Sequence, residues 1–170
     1  VTALLLLTRL QSGLERPQWQ TLALAPWLER QLQRQQATAT ARRLALVSEG
    51  TPPEALHTDP ALLEVIVGNL LGNACAYAPE GDTVRLRVDA RGLAIDNAAP
   101  GLTDADLASF GQRFWRKQLP HAGHAGLGLA LTTAAAQALG LALEFRLDAQ
   151  QRLHATLDWH AAIAVETPTP

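Results

Sequence analysis

The chain contains no methionine and only one cysteine, Cys75, so no internal disulfide can form. A lone thiol inside an apolar stretch reads as a small core residue and fits a reducing, cytosolic setting. Charge of one sign is also lacking. Lys plus Arg total 14 against 16 Asp plus Glu, with no long single-sign block, so neither nucleic acid nor an anionic membrane is expected as the main partner. Long apolar runs are missing too: the leucine run Leu4 to Leu7 falls far below the ~20 residues that span a bilayer. Nothing resembles a signal sequence, and there is no internal repeat. The chain opens inside a helical pattern without an initiator Met, which suggests a piece of a longer protein. Its 170 residues suit one domain with a sizeable core.

The most informative stretch is Asp59 to Tyr77, DPALLEVIVGNLLGNACAY. Asp59 is an N-cap candidate and Pro60 suits the first helical position, where its missing amide donor is no loss. Leu62, Leu63, Ile66, Val67, Leu70 and Ala74 recur at three- and four-residue intervals, forming one core-facing stripe. Beside it sit Gly68, Asn69, Gly72 and Asn73, weak helix formers that together cost roughly 3 kcal/mol against alanine. Asn69 and Asn73, four apart, share a face with Ile66 and Tyr77. Paired amides where apolar residues would be cheaper suit a polar ligand opposite them, or else the capping of nearby loop backbone.

Elsewhere the pattern predicts the end of an amphipathic helix over residues 1–14, closing at Ser12-Gly13, and a strand at Trp19 to Leu24. A helix from Pro26 to about Ala41 follows, with strands at Leu44 to Ser48 and Ala55 to Thr58. After the central helix come a hairpin of Thr83 to Asp89 with Leu93 to Asp96 and a helix capped by Thr103 with Asp104 and Asp106 in its first turn. Residues 115–125 form a basic, mobile loop. A helix runs from Gly126 to Leu139, ended by Gly140, and a last hairpin pairs Ala142 to Asp148 with Arg152 to Trp159. The tail over 163–170 is expected to be disordered. These elements make an α+β, two-layer sandwich: a mixed sheet covered on one face by helices.

Three features carry chemistry in order: the paired amides, then Asp96 ending a strand before a turn with Gly101, then Gly126-Leu127-Gly128-Leu129 opening a helix. Glycines at a helix start let backbone amides approach a phosphate, and the helix dipole favours its charge. Asp96 can accept a bond from an exocyclic amine such as adenine N6, or simply form a turn. His121 and His124 lack further ligands nearby, so zinc is not expected.

NLLGNACAY resembles the asparagine box of the sensor histidine kinases, IDNAAPGL their first glycine box, FGQRFWR their phenylalanine box and HAGLGLAL their second glycine box. The resemblance covers about Ala41 to Trp159 and implies a catalytic ATP-binding domain of the Bergerat fold, over 15–162, preceded by a remnant of the second dimerisation-domain helix over 1–14. It implies ATP and Mg²⁺ as cofactors, with Asn73 as the metal ligand and Asn69 near the phosphates. Asp96 would hold adenine and Tyr77 line its pocket. Gly101 and Leu102 would form the turn under the base, and Gly126, Leu127 and Gly128 would bind phosphate. Residues 115–125 become the ATP lid, and Arg116 steadies the γ-phosphate or else stays solvated or docks a domain. The implied reaction is phosphoryl transfer to a histidine. Related ATPases place a Glu at the position of Asn69 to activate water; an amide cannot, so hydrolysis should be slow.

The implied partners are a dimerisation domain bearing the phosphoacceptor and a response regulator. The parent protein would be a homodimer in the bacterial inner membrane with this domain in the cytoplasm. In three places the chain departs from the family. Ala98-Ala99-Pro100 replaces the first glycine of the usual Asp-x-Gly-x-Gly box and adds a residue, which suggests weaker ATP binding; Ala76 stands where a Lys is common; and no His lies in a phosphoacceptor motif. The competing readings are a docking module without transfer activity and an anti-sigma-factor serine kinase.

Overall fold

The computed structural model describes residues 2–110 and 127–160. Its centre is α3 (Pro60–Tyr77). Asp59 starts this helix. One carboxylate oxygen accepts from the amides of Ala61 and Leu62 at 2.9 and 3.1 Å, and the other from Gln18 at 2.8 Å. Orphan first-turn donors are thereby satisfied, and the preceding chain is tied to the helix start. At the far end the Arg42 guanidinium donates to the carbonyls of Cys75 and Ala76, a cation placed where the helix dipole favours it. Burial pushes the Cys75 thiol up in pKa, partly opposed by Arg42; the thiol sits in the core as a small apolar group.

The expected apolar stripe of α3 is buried, and it packs on a five-stranded sheet ordered β2-β4-β5-β7-β6. The strands are β2 (Ala45–Gly50), β4 (Thr83–Val88), β5 (Gly92–Ala98), β6 (Ala142–Leu147) and β7 (Arg152–Asp158). β2 and β4 run parallel; the other neighbours are antiparallel. α2 (Leu24–Ala41) packs against α3, and α5 (Gly128–Ala138) packs against α3 and β6. A separate ribbon pairs β1 (Gln20–Ala23) with β3 (Ala55–Thr58). α4 (Asp104–Leu107) starts with a capping box between Thr103 and Asp106. α1 (Ala3–Gln11) lies on α5, with Leu7 fully buried among Ala130, Leu131 and Ala134. Helices therefore cover one sheet face, as a two-layer α+β sandwich requires.

Two of the boundaries that differ from the sequence pattern have a clear physical cause. α2 begins at Leu24, before Pro26, because a proline in the first turn still gives up only a donor that has no intrahelical partner. β5 does not end at Asp96. It runs on to Ala98, since Asp96, Asn97 and Ala98 continue to pair with His154, Leu153 and Arg152 of β7.

Candidate nucleotide site

Strand alternation sorts the residues of β5 onto two faces. Leu93 and Ile95 join the core under α3, and Asn97 follows them onto that face. Asp96 points the other way. Its carboxylate is 1% exposed, yet it lies on the face opposite the helices, fixed by Arg87 Nη2 at 2.7 Å and Arg152 Nε at 2.7 Å, with Arg85 Nη1 at 3.6 Å. Arg152 also donates to Asp82 and to the carbonyl of Thr83. Burial works against the charged form of Arg152, but its bonds to Asp96 and Asp82 outweigh it, and the pKa rises. Asp96 therefore ties β4, β5 and β7 together across the sheet, and its expected role as the adenine acceptor does not fit this geometry. The misreading arose because the turn was expected directly after Asp96; pairing with β7 moves it two residues on.

On the helix-covered side, the paired amides of α3 lie half-buried. Asn69 Nδ2 donates to the Gly128 carbonyl at 3.3 Å, and Thr132 Oγ1 donates to the same oxygen at 2.7 Å. The middle of α3 is thus pinned to the first turn of α5. Asn73, one turn further along, makes no hydrogen bond among the described residues. Among the described residues α5 starts without a side-chain cap, from Leu127, and its first amides have no intrahelical partner. Among the described residues, a Cβ added to Gly128 would meet only the Asn69 amide, at 3.6 Å. The Gly68 and Gly72 positions are not explained by packing: among the described residues an added Cβ meets nothing at Gly68 and only Gln35, at 4.0 Å, at Gly72.

Tyr77 closes α3 and is 37% exposed. Gly101 takes a left-handed φ of +79°, and the amide of Leu102 donates to the Ala99 carbonyl at 3.1 Å, closing the turn that follows β5. Arg116, Gly126 and the expected lid over 115–125 lie outside the described residues. Asn97, the next residue along β5, takes the covered face. It is 4% exposed, and its Nδ2 donates to the Ala98 carbonyl at 2.9 Å. The spacing Leu93, Ile95, Asn97 carried that information.

A family model described as "Histidine kinase-, DNA gyrase B-, and HSP90-like ATPase" matches residues 58–161. Sensor protein QseC of Escherichia coli is 35% identical over 100 residues, which are 59% of this chain and 22% of QseC. Sensor protein TorS of Escherichia coli is 32% identical over 120 residues, 68% of this chain and 13% of TorS. The chain thus spans about a fifth or less of these relatives. Among solved structures, the cytoplasmic segment of histidine kinase QseC superposes with a TM-score of 0.70 at 19% identity, covering 92% of this chain and 91% of that one. Full-length ShkA in complex with AMPPNP gives a TM-score of 0.80 at 19% identity, covering 92% of this chain and 34% of ShkA.

Proposed function

Because the chain belongs to the histidine kinase-, DNA gyrase B- and HSP90-like ATPase family, as an ATP-binding catalytic domain of the sensor histidine kinase type, we propose that it binds Mg²⁺-ATP between α3 and α5. In this reading the γ-phosphoryl group passes from ATP to an imidazole nitrogen of a histidine on a dimerisation domain, ADP leaves, and a response regulator takes the group onward. The observation that carries the proposal is the pairing of a pinned amide, Asn69 on Gly128, with an amide one turn away, Asn73, that has no partner among the described residues.

The donors fit the ion. Among the described residues no group of His, Cys, Asp and Glu forms a metal cage. Mg²⁺ needs none, since it keeps waters and phosphate oxygens and takes one or two protein oxygens. The Asn73 amide oxygen would hold it, and it would supply charge neutralisation on the phosphates. The uncapped amides of α5 would hold phosphate oxygens. Asn69 donates a hydrogen bond rather than accepting a proton, so it orients without activating water. Tyr77 and the turn at Gly101 and Leu102 border the base, and Arg116 supplies a cation to the γ-phosphate. The parent kinase would be a membrane-bound homodimer, with this domain on the cytoplasmic side.

Titration with Mg²⁺-ATP, followed by addition of a separately produced dimerisation domain, tests the proposal. Wild-type chain should bind and transfer. Asn73→Ala should keep its fold by circular dichroism and lose at least about ten-fold in transfer rate, the scale of one lost electrostatic contact. Binding without any transfer would leave only a nucleotide-binding module.

A further inference from the structure

Beyond its opening glycine, α5 consists of Leu, Ala and one Gln, all good helix formers, except at Thr132 and Thr133. Threonine is a weaker helix former than alanine, and a hydroxyl bonded back to the carbonyl four residues earlier adds nothing to helix stability. Both residues nevertheless make that bond. Thr132 Oγ1 donates to the Gly128 carbonyl at 2.7 Å, and Thr133 Oγ1 to the Leu129 carbonyl at 2.9 Å. Thr132 is fully buried, so its hydroxyl has no solvent to turn to. The two carbonyls held in this way belong to the first turn of the helix. We infer that Thr132 and Thr133 are positioning residues for phosphate: they grip two successive peptides from behind, so that the amides of Leu129 and Ala130 face a phosphate in fixed directions. This rests on the nucleotide site proposed above.

Peptide geometry makes the link. The Gly128 carbonyl and the Leu129 amide belong to one planar trans unit and point in opposite directions, as do the Leu129 carbonyl and the Ala130 amide. Those amides lie in the first turn, where the helix itself offers them no acceptor. A hydroxyl that fixes the oxygen therefore fixes the direction of the N–H. It also polarises the unit, since a carbonyl that accepts a bond leaves the N–H of its own peptide a stronger donor. At Gly128 a second side chain joins the hold, because Asn69 Nδ2 donates to the same oxygen at 3.3 Å. Side chains from α3 and α5 thus converge on one peptide of the first turn. Valine, with the same branched shape, would fill the same space at both positions; the hydroxyls are explained only by the carbonyls they hold.

Calorimetric titration of the chain with Mg²⁺-ATP, run beside thermal melts without nucleotide, tests the inference. Thr132→Val and Thr133→Val should each bind roughly three-fold more weakly than wild-type, and the two together about ten-fold, the scale of neutral hydrogen bonds lost behind the site. Their melting temperatures without nucleotide should equal or exceed that of wild-type, which a purely structural role for the hydroxyls would not allow. Thr132→Ser combined with Thr133→Ser keeps both hydroxyls and should hold the affinity within about two-fold of wild-type. Thr132→Ala combined with Thr133→Ala removes them in favour of a better helix former; it should repeat the affinity loss and covers the case in which valine disturbs folding. Unchanged affinity in the valine or alanine pair, a serine pair as weak as the valine pair, or a loss of affinity that always comes with a lower melting temperature would overturn the inference. Failure of wild-type to bind Mg²⁺-ATP would instead remove the proposed function itself.

Discussion

α3 and α5 lie side by side and begin in opposite ways. α3 starts from a proline and an aspartate whose oxygens take up two of its amides and that of Gln18. α5 starts from a glycine, after a leucine, with no side-chain cap among the described residues. One start is closed by its own chain, whereas at the other no side chain among the described residues supplies a cap. Helix ends without partners are normally selected against in a stable fold. One capped start beside one uncapped start therefore separates what holds the fold from what meets a ligand.

Removing the cap should show the larger effect. Asp59→Ala loses the bonds to Ala61 and Leu62 and strands the Gln18 amide. A lost N-cap costs about 1–2 kcal/mol, and the lost bond to the exposed Gln18 about 0.5–1 more. The melting temperature should fall by roughly 5–10 °C, with Mg²⁺-ATP affinity of the folded fraction unchanged. A fall in affinity with little loss of stability would reverse the roles assigned to the two helix starts.

At the other start the signs should be opposite. Among the described residues an added methyl at Gly128 meets only the Asn69 amide, at ordinary contact distance, and alanine is the better helix former by up to about 1 kcal/mol. Gly128→Ala should therefore melt slightly higher than wild-type. The same methyl stands where backbone must come close to phosphate, so Mg²⁺-ATP affinity should fall several-fold. Differential scanning calorimetry with and without nucleotide reads both changes in one sample.

The contrast also marks how far the fold and the site could be read from sequence. Asp59-Pro60, the Thr103 cap and the left-handed Gly140 were legible because each is local: a side chain or a φ angle within a few residues settles it. The packing of Leu7 on Ala130 and Ala134 was not, since an amphipathic stripe says that a face is buried but not against what. Asp96 shows the limit most clearly. Which face it takes depends on where β5 stops, and that is set by Leu153 and Arg152, more than fifty residues away in the chain. The same long-range pairing assembles Arg87, Asp96, Arg152 and Asp82 into one ionic group, which no short motif could display. The paired amides stand out in the sequence because they break helix propensity; Asn97 does not, because a buried amide inside a strand sits beside a more conspicuous acid.

The smallest effect belongs to the charged sheet face, remote from both helix starts. Asp148 accepts from His154 Nε2 at 2.8 Å and from the amides of Gln150 and Arg152 at 2.9 Å each. The His154 bond first, then the Arg152 amide, lower its pKa from 3.8 to about 2. Because the folded value lies below the unfolded one, the stabilisation is present in full above pH 3.8 and is lost as pH falls toward 2. Asp148→Asn should remove that stretch of acid dependence, so that wild-type and variant stabilities converge below about pH 2 and part above 3.8. Mg²⁺-ATP affinity at pH 7 should not move, since the hairpin of β6 and β7 carries this carboxylate on the side away from α3. A change in affinity there would mean that the two faces of the sheet are coupled, and the division drawn between ties that hold the strands and groups that meet the nucleotide would have to include this hairpin among the latter.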